Sequence, residues 1–202
     1  MRFYHIVLWY SLLNFVTSIE YCPSGTLVIV KGLKQTDEDA ATCAHNRVRQ
    51  SLADGRVAGQ PRAKFMKTMV YDQLLAHKAT PVSKQCTNNP IDVKDRRWPC
   101  VGQNIYYTCS DRFDPNQYWD EAVDFWWSEK QYFAYPNVRV RNLDVSHYRQ
   151  LAWANTDTFG CDFYLFINSD DPEHPFCKLY TCNYGQCANN PGFSDLAPYE
   201  IA

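Results

Sequence analysis

The chain has 202 residues, and its 20 basic and 22 acidic side chains leave a formal net charge of −2. No run of basic residues stands out in the sequence, so this charge balance argues against a nucleic-acid partner. Aromatic residues make up 15% of the chain, which is typical of a folded domain and not of a disordered one. The length suits a single domain with a substantial core.

The first eighteen residues have the three-part layout of a secretory signal peptide. Arg2 supplies the positive start, the segment from Ile6 to Val16 is mostly apolar, and small residues lead up to Ser18. The alternative is a buried N-terminal helix, which is disfavoured because the polar, cysteine-bearing stretch Glu20–Cys22 follows at once. We expect cleavage after Ser18 and a secreted, extracellular protein with no transmembrane segment, since the apolar core is too short to span a bilayer.

Nine cysteines follow the predicted cleavage point. In a secreted chain they predict a disulfide framework, in which each bridge contributes about 2–4 kcal/mol. Metal ligation by Cys177, Cys182 and Cys187 is the competing interpretation, and it is weaker because no histidine pair accompanies them. Because nine is odd, at least one thiol is either free or paired between chains.

The first predicted helix begins at Thr36, a capping residue, and stops before Gly55. Acidic residues 37–39 favour the positive end of the helix dipole. His45 and Asn46 lie within this helix, and we interpret them as a buried hydrogen-bonding pair. Four apolar residues recur at helical spacing and are predicted to face the core: Ala41, Ala44, Val48 and Leu52.

Residues 57–62 form a predicted loop, and a second helix is expected from about Asp72. Pro81 is predicted to end or kink this helix, because proline lacks the amide proton and clashes with the preceding turn. A polar, proline-containing loop follows from Cys86 to Cys100, and Val101–Thr108 is predicted to be extended.

A third helix is predicted from Asp114, with Pro115 in its first turn. Trp126 and Glu129 are three residues apart and therefore share a face of this helix. A carboxylate beside apolar bulk needs a partner, although a solvated helix end is the simpler interpretation. The apolar surface of the helix comprises Tyr118, Ala122, Val123, Phe125, Trp126 and Trp127.

The last part of the chain reads as a loop, a short helix and two strands. The loop covers Tyr135–Asp144 and the short helical turn covers Ser146–Trp153. The segments Phe159–Ile167 and Lys178–Tyr184 are rich in aromatic and β-branched residues and are predicted to pair antiparallel. Helices followed by paired strands favour an α+β arrangement in which helices cover a sheet. The segment 189–202 is expected to wrap the surface.

Two stretches resemble the signatures of the CAP superfamily, which comprises the cysteine-rich secretory, antigen-five and pathogenesis-related-one proteins. The stretch from His147 to Thr156 (HYRQLAWANT), followed by Gly160 and Cys161, resembles the first signature, and Tyr180–Gly185 (YTCNYG) resembles the second. The residues of these motifs are most similar to those of antigen-five proteins of arthropod venom and saliva. Supporting matches occur in family order at Ala44–Arg49, Pro61–Asp72, Gln85–Cys86, Val101–Asn104, and Trp126 with Glu129.

This resemblance implies an α-β-α sandwich with a central antiparallel sheet between helical layers, stabilised by disulfides. It divides the chain into a signal peptide (1–18), an N-terminal extension (19–35), a CAP domain (36–190) and a C-terminal tail (191–202). Relatives pair the positions of Cys161 and Cys182, and Cys86 and Cys100 are further disulfide candidates. The residues that match the structural part of the signatures are Tyr148, Trp153, Trp126, Asn183 and Tyr184.

The resemblance also implies a cleft that carries two histidines and two acidic residues in many members, sometimes with a divalent metal. His147 and Glu129 match two of these positions. The second acid falls at Gln103, which is neutral, and the second histidine falls near residues 88–90, which are Asn-Asn-Pro. We therefore expect no enzyme activity, no cofactor and no physiological metal. His77 or His174 would substitute only through a geometry that the sequence does not reveal.

Three functions remain under consideration at this point. The first is a secreted binding protein without catalysis, which holds a small hydrophobic ligand such as a sterol, fatty acid or eicosanoid in the cleft or in a channel between helices. The second is an effector that targets a host or prey surface protein. The third is a residual hydrolase that uses His147 and Glu129, and it is disfavoured because no nucleophile is identifiable.

Overall fold

The computed structural model describes residues 19–136, 138–139, 143–188 and 196–202. The predicted signal peptide and the first five residues of the predicted C-terminal tail lie outside the described residues. The described residues form four helices, α1 (Gln35–Ala53), α2 (Gln73–Ser83), α3 (Trp119–Ser128) and α4 (Ser146–Ala152), with a 3-10 turn at Glu129–Tyr132. The same part of the chain contains seven strands, β1 (Val28–Lys31), β2 (Val70–Tyr71), β3 (Val101–Ser110), β4 (Phe133–Ala134), β5 (Val138–Arg139), β6 (Thr158–Ile167) and β7 (Phe176–Gly185).

The main sheet has the order β1-β6-β7-β3, with antiparallel pairing along the whole path. β2 adds a short parallel pair to the start of β6. β4 and β5 form a separate two-stranded hairpin, and β5 lies within the segment Tyr135–Asp144 that was predicted to be a loop. The predicted antiparallel pairing of the two last strands is confirmed, with Cys161 directly opposite Cys182.

Helices cover both faces of the sheet, which confirms the predicted α-β-α sandwich. The pleat sends alternate side chains of β6 to opposite faces. Phe159, Phe163 and Leu165 pack with α1, α3 and α4 in the larger core. Tyr164 and Phe166 pack with Val82 of α2 in the smaller core. Because both faces are covered, β6 reads as a nearly continuous run of apolar and aromatic residues.

The helical periodicity of α1 predicted its buried face correctly. Ala41, Ala44, Val48 and Leu52 are at most 1% exposed. The predicted start at Thr36 is displaced, because α1 begins at Gln35 after Lys34. The carboxylate of Asp37 accepts the backbone amide of Lys34 at 3.2 Å and satisfies this end of the helix instead of a threonine cap.

The predicted start of α3 at Asp114 is wrong, since the helix begins at Trp119. The carboxylate of Asp114 is engaged elsewhere. It accepts Nζ of Lys178 at 2.9 Å and the backbone amide of Asn116 at 3.0 Å. The amide of Tyr118 donates to the hydroxyl of Tyr180 at 3.0 Å, which fixes the entry to the helix from the sheet side.

The structure differs from the sequence predictions at three further points, in α2, α3 and β1. α2 continues past Pro81 to Ser83, because a proline in the last turn removes only one backbone donor before the helix ends anyway. Of the residues predicted to form the apolar surface of α3, Tyr118 and Phe125 are 45% and 50% exposed, and Tyr118 precedes the helix. The edge strand β1 was not predicted from the sequence.

Four disulfides are formed: Cys109–Cys177 and Cys161–Cys182 join neighbouring strands of the main sheet, and Cys22–Cys86 and Cys100–Cys187 join segments outside the strands. Cys86 and Cys100 are therefore both bridged, but not to each other. The ninth thiol, Cys43, is free and exposed on α1. Cys177, Cys182 and Cys187 belong to three different bridges, so the alternative of metal ligation by these three residues does not apply.

A buried arginine ties α1 to the remainder of the helical layer. Arg49 is 1% exposed, and its guanidinium donates to the carbonyls of Lys67 and Leu151 at 2.6–2.9 Å and 2.8 Å. It also donates to the carbonyls of Trp153, Ala154 and Thr156 at 2.8–3.1 Å. Burial lowers the pKa of Arg49 to about 9, which leaves the side chain charged at neutral pH.

Replacing Arg49 by methionine should lower the free energy of unfolding by at least about 3 kcal/mol, because several buried carbonyls would lose a charged donor. Arg47 on the same helix is the matched control. It forms exposed ion pairs with Asp120 and Asp124, so Arg47→Met should cost at most about 1 kcal/mol. Urea unfolding of the three proteins measures this, and equal losses for the two variants would contradict the account of Arg49.

Candidate functional site

A polar cleft of about 370 Å³ lies between the loop that follows α2, the start of β3 and the start of α4. Five of the side chains around it are polar or charged, and it contains no broad apolar wall. The cleft is lined by Asn88, Pro90, Gln103, Ile105, Asp144, Ser146 and His147.

The structure brings the predicted pair, His147 and Glu129, together at the cleft. Glu129 begins the 3-10 turn after α3, and its Oε1 accepts Nδ1 of His147 at 2.6 Å. Its Oε2 accepts the backbone amide of Tyr148 at 2.9 Å, so one carboxylate fixes both the ring and the start of α4. The imidazole also stacks on Trp126 with ring centroids 6.4 Å apart. With Nδ1 directed at Glu129, Nε2 is the ring nitrogen that can serve the cleft.

Gln103 occupies the position expected for a second acid, and its amide has a structural role. Its Nε2 donates to Oδ1 of Asn183 at 2.9 Å, and its Oε1 accepts the backbone amide of Ile91 at 3.0 Å. Asn183 in turn donates to the carbonyl of Leu75 at 3.2 Å. Gln103 therefore links the loop to the sheet and to α2, while Asn88 and Pro90 line the cleft where a second histidine was expected.

These residues do not fit a resident divalent metal. Zinc is usually held by three or four protein ligands, and neutral amides are poor substitutes for imidazole and carboxylate. At the cleft only His147 and Glu129 supply such donors from the four expected positions. Within the described residues, no group of three or more His, Cys, Asp and Glu side chains is arranged to hold a metal ion.

His45 is buried as the sequence indicated, whereas Asn46 is only partly buried, and the two side chains bond to different partners instead of forming a pair. Nδ1 of His45 donates to the carbonyl of Ala41 at 2.7 Å, and the hydroxyl of Tyr184 donates to Nε2 at 2.9 Å. Asn46 pairs with the backbone of Met69 through both its oxygen and its nitrogen. Burial lowers the pKa of His45 to about 4, so this imidazole is neutral at pH 7 and has no role at the cleft.

The signature residues pack and do not line the cleft. Tyr148, Trp126 and Tyr184 are completely buried, and Trp153 is 5% exposed. Asn183 is also buried and is used by Gln103 and Leu75 as described. Among them, Trp126 stacks on the imidazole of His147 and supports it from the core side.

A second opening was not predicted from the sequence. This apolar groove has a volume of about 500 Å³ and lies between the loop around residue 65, the end of α4 and the C-terminal residues. No local pattern in the sequence indicates this groove, because its walls come from distant parts of the chain. It is lined by Lys64, Phe65, Tyr135, Trp153, Ala154, Asn155, Leu196, Ala197, Pro198, Tyr199 and Glu200.

Residues 43–184 match the model of the CAP family, described as the cysteine-rich secretory protein family, and the chain belongs to this family. Among its curated relatives, venom allergen 3 of Solenopsis invicta is 31% identical over 84% of this chain and 74% of that protein. Venom allergen 5 of Tityus serrulatus is 30% identical over 78% of this chain, which spans only 39% of that relative. The chain is thus an antigen-five-like CAP protein.

The fold is similar to that of venom allergen-like protein 4 of Schistosoma mansoni, with a TM-score of 0.64 and 23% identity over 84% of this chain and 97% of that one. This likeness concerns the architecture alone. Of the helices in the described residues, none combines the length and the apolar character needed to cross a membrane.

Burial of neutral His45 should make stability fall in mild acid. Its pKa is about 4 in the folded protein, against 6.5 as its ordinary value, so the unfolded chain binds the extra proton first as the pH falls. The contribution of His45 is complete above pH 6.5 and is lost as the pH falls to about 4, a change of about 3 kcal/mol.

The measurement is the free energy of unfolding of wild type and His45→Asn between pH 7 and pH 4. Other titrating groups are common to both proteins, so the difference isolates His45. NMR titration of the wild-type imidazole checks the same point without relying on the variant. A midpoint near 6.5 for His45 in the folded protein would rule the interpretation out.

Proposed function

We propose that this protein is a secreted, non-catalytic binding protein of the antigen-five type, which captures a small hydrophobic ligand such as a fatty acid, sterol or eicosanoid. The observation that carries the proposal is the division between two sites. The cleft keeps only half of the residues expected for chemistry, whereas the apolar groove has aromatic walls and enough room for a ligand.

The composition of the cleft supports a function without catalysis. A hydrolytic site needs a nucleophile or activated water, a base, and donors that stabilise an oxyanion. His147 with Glu129 supplies a base and the residue that orients it. Gln103 is committed to Asn183 and Ile91, so it contributes neither a second carboxylate nor a second base.

The groove is the better place for an apolar ligand. The aromatic residues of α3 that suggested a channel between helices are largely occupied in the core, with Trp119 and Trp126 at most 1% exposed. In the groove, by contrast, Phe65 and Leu196 remain 59% and 50% exposed. A volume of about 500 Å³ lies within the range of pockets that bind small molecules.

A charged pair lies at the rim of the groove. Nζ of Lys64 pairs with the carboxylate of Glu200 at 3.2 Å, and both side chains are well exposed. Such an exposed pair contributes little to stability and exchanges easily with a polar head group. An amphiphile with a hydrocarbon body and one polar end therefore suits this groove.

Native mass spectrometry after incubation with a labelled fatty acid, sterol or eicosanoid tests the proposal. Wild type should retain one molecule, and Phe65→Glu with Leu196→Glu should weaken binding at least about tenfold, because charge in an apolar wall raises the cost of desolvation. Phe125→Glu is the matched control, since Phe125 is 50% exposed but lies on α3.

Failure of wild type to retain any of the three lipids would contradict the proposal. Equal weakening in the Phe125 control would show that the groove is not the binding place. Retention that depends on neither set of residues would move the ligand to another part of the molecule.

A second candidate function is the targeting of a surface protein on a host or prey cell. Three aromatic residues around the start and outer face of α3 support it, because clustered exposed aromatics are common at protein interfaces. Phe113, Tyr118 and Phe125 are 45–52% exposed.

Replacement of all three by serine should abolish capture of a receptor from host membranes, whereas the groove variant should leave capture unchanged. Equal capture by wild type and the triple variant would sink this candidate.

A further inference from the structure

A polar cluster lies buried between the sheet and the last turn of α2, on the face opposite to His45. Asp162 of β6 stands directly across from Thr181 of β7, so both side chains point to the same face. Ser83, the last residue of α2, lies beside Asp162. Asp162 is 6% exposed, and Thr181 and Ser83 are fully buried.

The cluster is incompletely satisfied. Oδ2 of Asp162, Oγ of Ser83 and Oγ1 of Thr181 have no hydrogen-bond partner of ordinary geometry in the described part of the chain. The hydroxyls of Ser83 and Thr80 lie close enough to Asp162 to act against the effect of burial. Burial is nevertheless the larger influence, and it raises the pKa of the Asp162 carboxyl to about 6.

The surrounding charges do not offset the charge of an ionised Asp162. Glu20, in the N-terminal segment, raises the pKa of Asp162 further by like-charge repulsion. The nearby cations, Lys31 of β1 and Lys84 at the end of α2, are both paired with Glu20. Two tyrosines face the same region: Tyr164 donates its hydroxyl to Glu20 at 2.9 Å, and Tyr71 of β2 donates to the carbonyl of Cys161 at 2.8 Å. Among the described residues, Asp162 itself forms no ion pair.

We propose that Asp162 makes the packing of the last turn of α2 against the sheet depend on pH, tight when the carboxyl is protonated and loosened when it ionises. A protonated carboxyl can donate to a hydroxyl of Ser83 or Thr80 and brings no charge into the buried layer. An ionised carboxyl at the same place must be solvated by a few hydroxyls, without a cation.

The position of the cluster connects it to the cleft. The chain leaves Ser83, passes the Cys22–Cys86 bridge and continues into the loop whose Asn88 and Pro90 line the cleft. Loosening of the last turn of α2 therefore acts on one wall of the cleft. Mild acid would hold this wall in place and neutral pH would allow it to move.

The sign of the effect follows from proton binding. Because the pKa of Asp162 is raised in the folded protein above its ordinary value of 3.8, the folded state holds a proton that the unfolded state has already lost. Its stabilisation is complete below about pH 3.8 and is lost as the pH rises through about 6. This direction is opposite to that of His45.

Hydrogen exchange of the α2 amides in wild type and Asp162→Asn is the test. Asparagine keeps the shape of the neutral carboxyl and does not titrate. The ratio of protection factors, variant over wild type, should rise about tenfold between pH 5 and pH 7.5, which is the change expected from a carboxyl pKa of 6 against 3.8. Asp170→Asn, at an exposed aspartate of the β6–β7 loop, should leave the ratio constant.

A constant ratio for Asp162→Asn would overturn the proposal. NMR titration of the Asp162 carboxyl carbon in the wild-type protein provides a second measurement that does not depend on how the variant folds. A midpoint near 6 is expected, and a midpoint below about 4.5 would equally overturn the proposal. Neither result depends on the identity of the ligand or on the binding function.

Discussion

The guanidinium of Arg49 is the interaction on which the helical layer depends. It projects from the buried face of α1 and donates hydrogen bonds to the carbonyls of Leu151, Trp153 and Thr156, which lie at the end of α4 and beyond it. The carbonyl of Lys67 joins them from the segment before β2. One charged side chain thereby holds backbone that has left regular structure, where carbonyls would otherwise be buried without donors.

The signature stretch around α4 is mainly a support. Gln150, fully buried, donates to Oγ1 of Thr156 at 3.1 Å and accepts the backbone amide of Ala188 at 2.7 Å. Gly160 allows α2 to lie directly on β6, because a Cβ atom there would come within 2.3 Å of the backbone nitrogen of Ala76. These roles concern packing and backbone satisfaction. They explain why the stretch identifies the family although it contributes only His147 to the cleft.

Local patterns predicted the parts of the fold that local physics determines. The spacing of Ala41, Ala44 and Val48 predicted the buried face of α1, and the aromatic runs predicted β6 and β7. The start of α3 was misplaced because Asp114 binds Lys178, a residue 64 positions away, and no local rule shows that competition. β1 was missed because its pairing with β6 is set by tertiary contact.

Of the two candidate sites, one was predicted from the sequence and the other was not. The pairing of His147 with Glu129 was anticipated through the resemblance to the family. The apolar groove was not, because Phe65, Trp153 and Leu196 come together only when the chain end folds back over the end of α4. The disulfides Cys22–Cys86 and Cys100–Cys187 also join distant segments, and spacing alone leaves such connectivity open.

With Gln103 and Asn88 at two of the four expected positions, the cleft has a single oriented histidine and holds no metal of functional affinity. Calorimetric titration of the purified protein with Zn²⁺, alongside His147→Ala, is the decisive measurement. We predict no one-to-one binding tighter than about 0.1 mM in either protein. Micromolar one-to-one binding that disappears in His147→Ala would contradict the account and restore the cleft as a metal site.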